Sequence, residues 1–113
     1  MHEMSIAEGI VQVLEDQARV QNYSRVEKVW LEIGPMAGIE LDSLRFCFGA
    51  VTRGTLAENA ALEIIETKGE AWCMHCAKTV AVRQRFDACP DCGSYQLQVT
   101  SGDEMRIKEL EVN

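Results

Sequence analysis

No apolar run in this chain approaches the roughly 20 residues that a bilayer-spanning helix needs. Basic residues are also scarce: 11 Lys and Arg stand against 18 Asp and Glu, for a formal charge of −7. A nucleic-acid partner calls for clustered cations to neutralise phosphates, so none is expected, and neither is a membrane partner. The opening residues carry Glu3 and Glu8 without a basic n-region, which argues against a secretory signal. The expectation is a cytoplasmic protein. The sequence has no internal period, low-complexity tract or flexible linker. It also lacks a nucleophile–base pair, a phosphate-binding loop and a convergent pair of carboxylates, so it is not read as an enzyme.

What is present is an ordinary globular composition. The 113 residues are 47% apolar and 26% charged, which suits one domain carrying a small inserted module and excludes intrinsic disorder. Ser5 and Glu8 form a Ser-x-x-Glu capping box. Met4, Ala7, Val11, Leu14 and Ala18 follow at three- and four-residue steps, with Ile6, Ile10 and Val13 widening the stripe. This predicts a helix capped at Ser5, with residues 1–4 outside it. Val29, Leu31 and Ile33 alternate with Lys28, Trp30 and Glu32, as a strand requires. After the loop "PMAGIELD", a second helix is predicted from about Asp42 or Ser43, with Leu41, Leu44, Phe48 and Val51 on one face. "ALEIIET" reads as a second strand, and "EMRIKELEV" as a last one in which Leu110 and Val112 fall out of phase with Met105 and Ile107. The fold class is α+β: two helices packed on a small three-stranded sheet, with an inserted module. The expected boundaries are 1–67 plus 103–113 for the first domain and 68–102 for the insertion.

The insertion is poor in large apolar residues yet holds four of the five cysteines. "CMHC" and "CPDCG" place Cys73/Cys76 and Cys89/Cys92 as two C-x-x-C pairs. Two thiolates three positions apart grip one ion from a single tight turn, and two such knuckles complete a closed tetrahedral Cys₄ site. Bound Zn²⁺ would supply the folding free energy that the segment's small apolar content cannot, on the order of 10 kcal/mol. The module is therefore read as a zinc ribbon with structural Zn(II). Iron of the rubredoxin kind would accept the same ligands, and a redox dithiol would need a thioredoxin-like helix start at each pair. Cys47, between Phe46 and Phe48, reads as a small core residue rather than a reactive thiol.

The start, "MHEM", offers a second and weaker constellation. The α-amine, the main-chain nitrogen of His2 and its imidazole can close adjacent chelate rings, and Glu3 can add its main-chain nitrogen or carboxylate. A nitrogen-rich, roughly planar set suits Ni(II) or Cu(II) far better than Zn(II). Amine and imidazole both deprotonate close to neutrality, so affinity should fall with pH. Taken alone, a terminal histidine is more often a solvated end residue.

The combination of "MHEMS", "VWLEIG" after a helix, the two C-x-x-C pairs and "GDEMRIKELEV" resembles the HypA/HybF family over essentially the whole chain. That resemblance implies a nickel metallochaperone for the maturation of [NiFe]-hydrogenase, with Ni(II) as cargo. It implies nickel ligation by Met1, His2 and Glu3, and zinc ligation by Cys73, Cys76, Cys89 and Cys92. Glu40 matches an acidic position that supports nickel binding in some members, with a longer side chain than the Asp of that role. Some members flank the zinc cysteines with histidines. This chain instead has His75 inside the first knuckle and Gly93 after the last cysteine, so no histidine-based pH switch is expected. The implied partners are a nickel-handling GTPase and the hydrogenase large subunit precursor, and the implied state is monomer or homodimer. The competing function is a zinc-ribbon adaptor that binds proteins without transferring nickel.

Overall fold

The structure is a computed structural model that describes residues 2–113. Its elements are, in order, α1 (Glu3–Gln21), β1 (Val26–Ile33), α2 (Leu41–Val51), β2 (Ala61–Glu66), β3 (Gly69–Cys73), β4 (Lys78–Val82), β5 (Leu97–Ser101) and β6 (Met105–Val112). Two three-stranded sheets form, with strand orders β2-β1-β6 and β4-β3-β5. The chain divides into two compact units. One holds the residues up to Leu31 with Ile39–Ile64 and Ile107–Asn113; the other holds Glu32–Gly38 and Ile65–Arg106.

In the first unit, α1 packs on α2. The buried positions of α1 are Glu3, Ala7, Ile10, Val11 and Leu14. Their three- and four-residue spacing makes one continuous stripe on a 3.6-residue helix. Leu44 and Phe48 are the buried positions of α2. β1 is the central strand of its sheet and buries Val26, Val29, Leu31 and Ile33, of which the first three belong to this unit. The expected alternation against Lys28, Trp30 and Glu32 is observed, and Lys28 Nζ lies 4.7 Å from the centroid of the Trp30 ring. In β6, Leu110 is half-buried and Val112 exposed, the phase break its sequence carries.

The start of α1 differs from the expectation. Ser5 is not the cap: the helix begins at Glu3, His2 occupies the N-cap position, and no side chain caps the end. The His2 carbonyl accepts the Ile6 N–H at 3.1 Å, which closes the first turn. The capping box loses because Glu3 has a tertiary partner, the Glu40 main-chain N–H, which donates to its carboxylate at 3.0 Å. Pulling Glu3 inward rotates Met4, the first position of the expected stripe, out to solvent. The other end follows local rules. Asn22 takes the left-handed conformation, φ 65°, and its N–H returns to the Ala18 carbonyl at 2.9 Å.

The second unit is the ribbon. β3 is its middle strand, antiparallel to both neighbours, with Trp72 opposite Thr79 on β4 and opposite Gln98 on β5. Its core is small: Met36, Ala71, Cys73, Val80, Val82 and Cys89. At the base of this unit three glycines meet. A Cβ on Gly34 would lie 2.1 Å from the Gly102 carbonyl oxygen, and one on Gly102 would lie 2.5 Å from the Gly69 Cα. The main chain closes there through Met36 N–H to the Gly102 carbonyl at 2.7 Å and Gly34 N–H to the Glu104 carbonyl at 2.9 Å.

Candidate metal sites

The two cysteine knuckles sit at the end of the ribbon sheet. Cys73 is the last residue of β3, and the chain turns back through Cys76 and Ala77, which adopts a left-handed φ of 55°, into β4. The second knuckle closes with the Gly93 N–H on the Cys89 carbonyl at 2.9 Å, and Gly93 takes φ 77°. The four Sγ atoms lie within 4.8 Å of one another, with Cys73–Cys92 at 3.7 Å and Cys76–Cys89 at 3.9 Å. A tetrahedron with Zn–S bonds of about 2.3 Å has S···S edges of about 3.8 Å, so the ligand set fits Zn²⁺.

The main chain already points donors at the sulfurs. The Cys76 N–H donates to Cys73 Sγ at 3.3 Å, and the Asp91 N–H donates to Cys89 Sγ at 3.4 Å. Burial raises the Cys89 thiol, but the Asp91 and Cys92 N–H groups outweigh it and hold the group down to about 7. Cys76 goes the other way, pushed up to about 12 by its hydrogen bond with the Cys92 thiol and then by burial. One sulfur thus ionises readily while its neighbour keeps its proton, and a divalent ion must displace the remaining protons as it binds.

A contact between the knuckles was not anticipated from the sequence. Lys78 Nζ lies 2.6 Å from Asp91 Oδ2. Asp91 therefore offers its N–H to a cysteine sulfur and its carboxylate to a lysine two residues beyond the other knuckle. The signal was present as an acid inside "CPDC" and a base just after "CMHC". His75 is exposed.

At the other candidate site, Met1 lies outside the described residues. The His2 side chain is exposed and makes no capping hydrogen bond. Glu3 is 4% exposed, and its carboxylate accepts from Glu40, which is the N-cap residue of α2. The Glu40 carboxylate in turn accepts the Ser43 N–H at 2.8 Å. The candidate residues Glu3 and Glu40 are thus brought side by side where α1 and α2 both begin. Each helix start presents a partial positive charge that would repel a cation, and each here carries a carboxylate that offsets it.

The family model for hydrogenase/urease nickel incorporation, metallochaperone, HypA matches residues 1–112. The chain belongs to the HypA family. A hydrogenase maturation factor HypA from Azotobacter chroococcum mcd 1 is 70% identical over 112 residues, covering 99% of each chain. That of Azotobacter vinelandii is 68% identical over the same length and coverage. Among solved structures, the Ni metallochaperone HypA from Helicobacter pylori superposes with a TM-score of 0.71 at 25% identity, covering 99% of this chain and 97% of that one. A second HypA solution structure, at 24% identity, has the same fold with a TM-score of 0.72 and 97% coverage of its chain. The family is one of metallochaperones for nickel incorporation, and its named relatives are hydrogenase maturation factors; in this chain four cysteines are placed to hold a metal ion. Among the described residues, no helix is long and apolar enough to cross a membrane.

Proposed function

We propose that this protein carries Ni(II) on its amino-terminal segment and delivers it to the hydrogenase large subunit precursor, working with a nickel-handling GTPase in the cytoplasm. The ligands in this reading are the Met1 amine, the His2 imidazole and main-chain nitrogens, and Glu3, with Glu40 beside it. The observation that carries the proposal is the environment of Glu3. A carboxylate that is almost wholly buried at a helix start, bonded to the N-cap residue of a second helix, anchors the segment that bears His2. The His2 imidazole stays exposed at that anchored point. Fixed attachment with exposed donors suits a carrier, because a closed cage would release its metal slowly.

Because the Glu3 carboxylate already accepts the Glu40 N–H, its simplest contribution is to hold the chelate in place while its main-chain nitrogen faces the metal. No catalytic step is assigned. The test is a nickel titration of the zinc-loaded protein against His2→Ala, against a form with a blocked α-amine, and against Glu3→Gln. Nickel binding should vanish in the first two and weaken about tenfold or more in the third, the usual consequence of losing a ligand's support. Equal nickel affinity in the native, His2→Ala and amine-blocked forms would put the zinc-ribbon adaptor in its place.

A further inference from the structure

Glu40 is an exposed carboxylate beside the segment that bears His2, and its residue type suggests one more metal ligand. Its hydrogen bonds point elsewhere. The Glu40 N–H donates to Glu3 Oε2 at 3.0 Å, its carbonyl accepts the Leu44 N–H at 3.0 Å, and its Oε1 accepts the Ser43 N–H at 2.8 Å. Its N–H is thus committed to α1, and its carbonyl and carboxylate to α2.

Each commitment has a physical reason. The first N–H groups of a helix have no partner within it, and Ser43 is the third residue of α2, the position that an N-cap side chain reaches. Drawing the Glu40 carboxylate onto a cation would orphan that N–H. It would also uncover the partial positive charge of the helix start, next to the ion being bound. The N–H of Glu40 meets a different demand. Glu3 is 4% exposed, and a buried carboxylate that loses a donor is costly to keep in place. Residue 40 has φ −83° and ψ 114°, an extended conformation in which its N–H serves one helix while its carbonyl opens the other.

We propose that Glu40 is a positioning residue for nickel and not a ligand. Its main-chain N–H holds the Glu3 carboxylate, and with it the amino-terminal segment, while its own carboxylate caps α2. This rests on the amino-terminal nickel reading and deepens it. An N–H is common to every residue except proline. Nickel binding should therefore tolerate loss of the carboxylate at position 40 and be sensitive to loss of the amide hydrogen, the reverse of what a ligand would show.

The test is a nickel titration of the full zinc-loaded protein, with the absorption spectrum of bound nickel recorded and a urea midpoint taken for each variant. Glu40→Ser and Glu40→Asn keep an N-cap without a carboxylate, and should bind nickel within about twofold of the native protein with its spectrum unchanged. Glu40→Pro is close to the native φ and deletes the N–H, and should weaken nickel binding about tenfold. An ester in place of the Ile39–Glu40 amide removes the same donor alone and should give the same loss, whether or not proline disturbs the fold. In a Glu3→Ala background neither change should weaken binding further, because the acceptor is already gone. Native-like nickel binding by His2→Ala would overturn the nickel reading and this inference with it. With that reading intact, a tenfold loss or an altered spectrum in Glu40→Ser, at an unchanged urea midpoint, overturns the inference in favour of a carboxylate ligand. Undiminished binding in the ester form overturns it too, as does an additive loss in the Glu3→Ala background.

Discussion

At the residue scale, the decisive positions are those whose local preference is overruled from a distance. Glu3 is one: the sequence places it before a capped helix, and the Glu40 amide draws it into the first turn. A capping box was legible and wrong because a contact 37 residues away in sequence is invisible to a local rule. Gly34 is another. Nothing in the sequence marks it, yet its missing side chain is what lets the Gly102 carbonyl approach. Gly34→Ala should therefore destabilise the protein by about 2 kcal/mol, since backbone on both sides must shift to admit the methyl. Gly9→Ala, with nothing near its Cβ position, should not destabilise it. Urea midpoints of the two variants make the comparison. Glu104 is held below the usual carboxylate range by its own N–H, then by the Gly102 N–H and the Thr67 hydroxyl. A depressed folded-state value means stability that is present above the unfolded value of 4.5 and lost as pH falls through the lower folded one. The difference in urea midpoint between native protein and Glu104→Gln should thus be largest near neutrality and shrink below about pH 4.5. A gap that stays constant with pH would show that the ionised form is not what the clasp recognises.

At the element scale, legibility followed periodicity. β1 was readable because a central strand buries one side chain in two, and Val29, Leu31 and Ile33 keep that rhythm. The body of α1 was readable for the same reason at 3.6 residues per turn. The ribbon's strands were not: β4 and β5 do alternate, but over only five residues each, too short a stretch to stand out, and the metal spacing alone announced the module. The same spacing placed all four cysteines but said nothing of the ion pair joining the knuckles. Lys78→Met removes the partner of the Asp91 carboxylate while keeping the aliphatic stem. Both side chains are about half exposed, so solvent screens the pair and its contribution is small. Zinc should accordingly leave the variant up to about fivefold faster when challenged with a chromogenic chelator, and Asp91→Asn should match it. Equal release rates in all three proteins would mean that the main-chain N–H groups position Cys89 without help.

At the scale of the whole molecule, the two units rest on different physics. The first has a core of ordinary kind, with Leu14, Leu31, Leu44, Val26 and Val29 fully buried on helices and sheet. Burying each such side chain contributes roughly 1.5–3 kcal/mol, and none of these five doubles as a candidate metal ligand. The ribbon counts six buried core residues, and two of them, Cys73 and Cys89, are themselves metal ligands. Four apolar side chains over so short a segment fall well short of the entropy of ordering it, about 1–2 kcal/mol per residue for the backbone. Zinc bound to four thiolates contributes on the order of 10 kcal/mol toward offsetting that entropy. We therefore expect Cys76→Ser to lose zinc and to collapse the amide resonances of the ribbon, from about Lys68 to Gly102, into the unfolded range. The resonances of α1, α2 and β1 should keep their dispersion. Chelation of zinc from the native protein should reproduce the pattern, and readdition should reverse it in the native protein alone. Retention of stoichiometric zinc by Cys76→Ser would contradict the four-thiolate site. Loss of α1 and α2 along with the ribbon would show that the first unit leans on the metal as well.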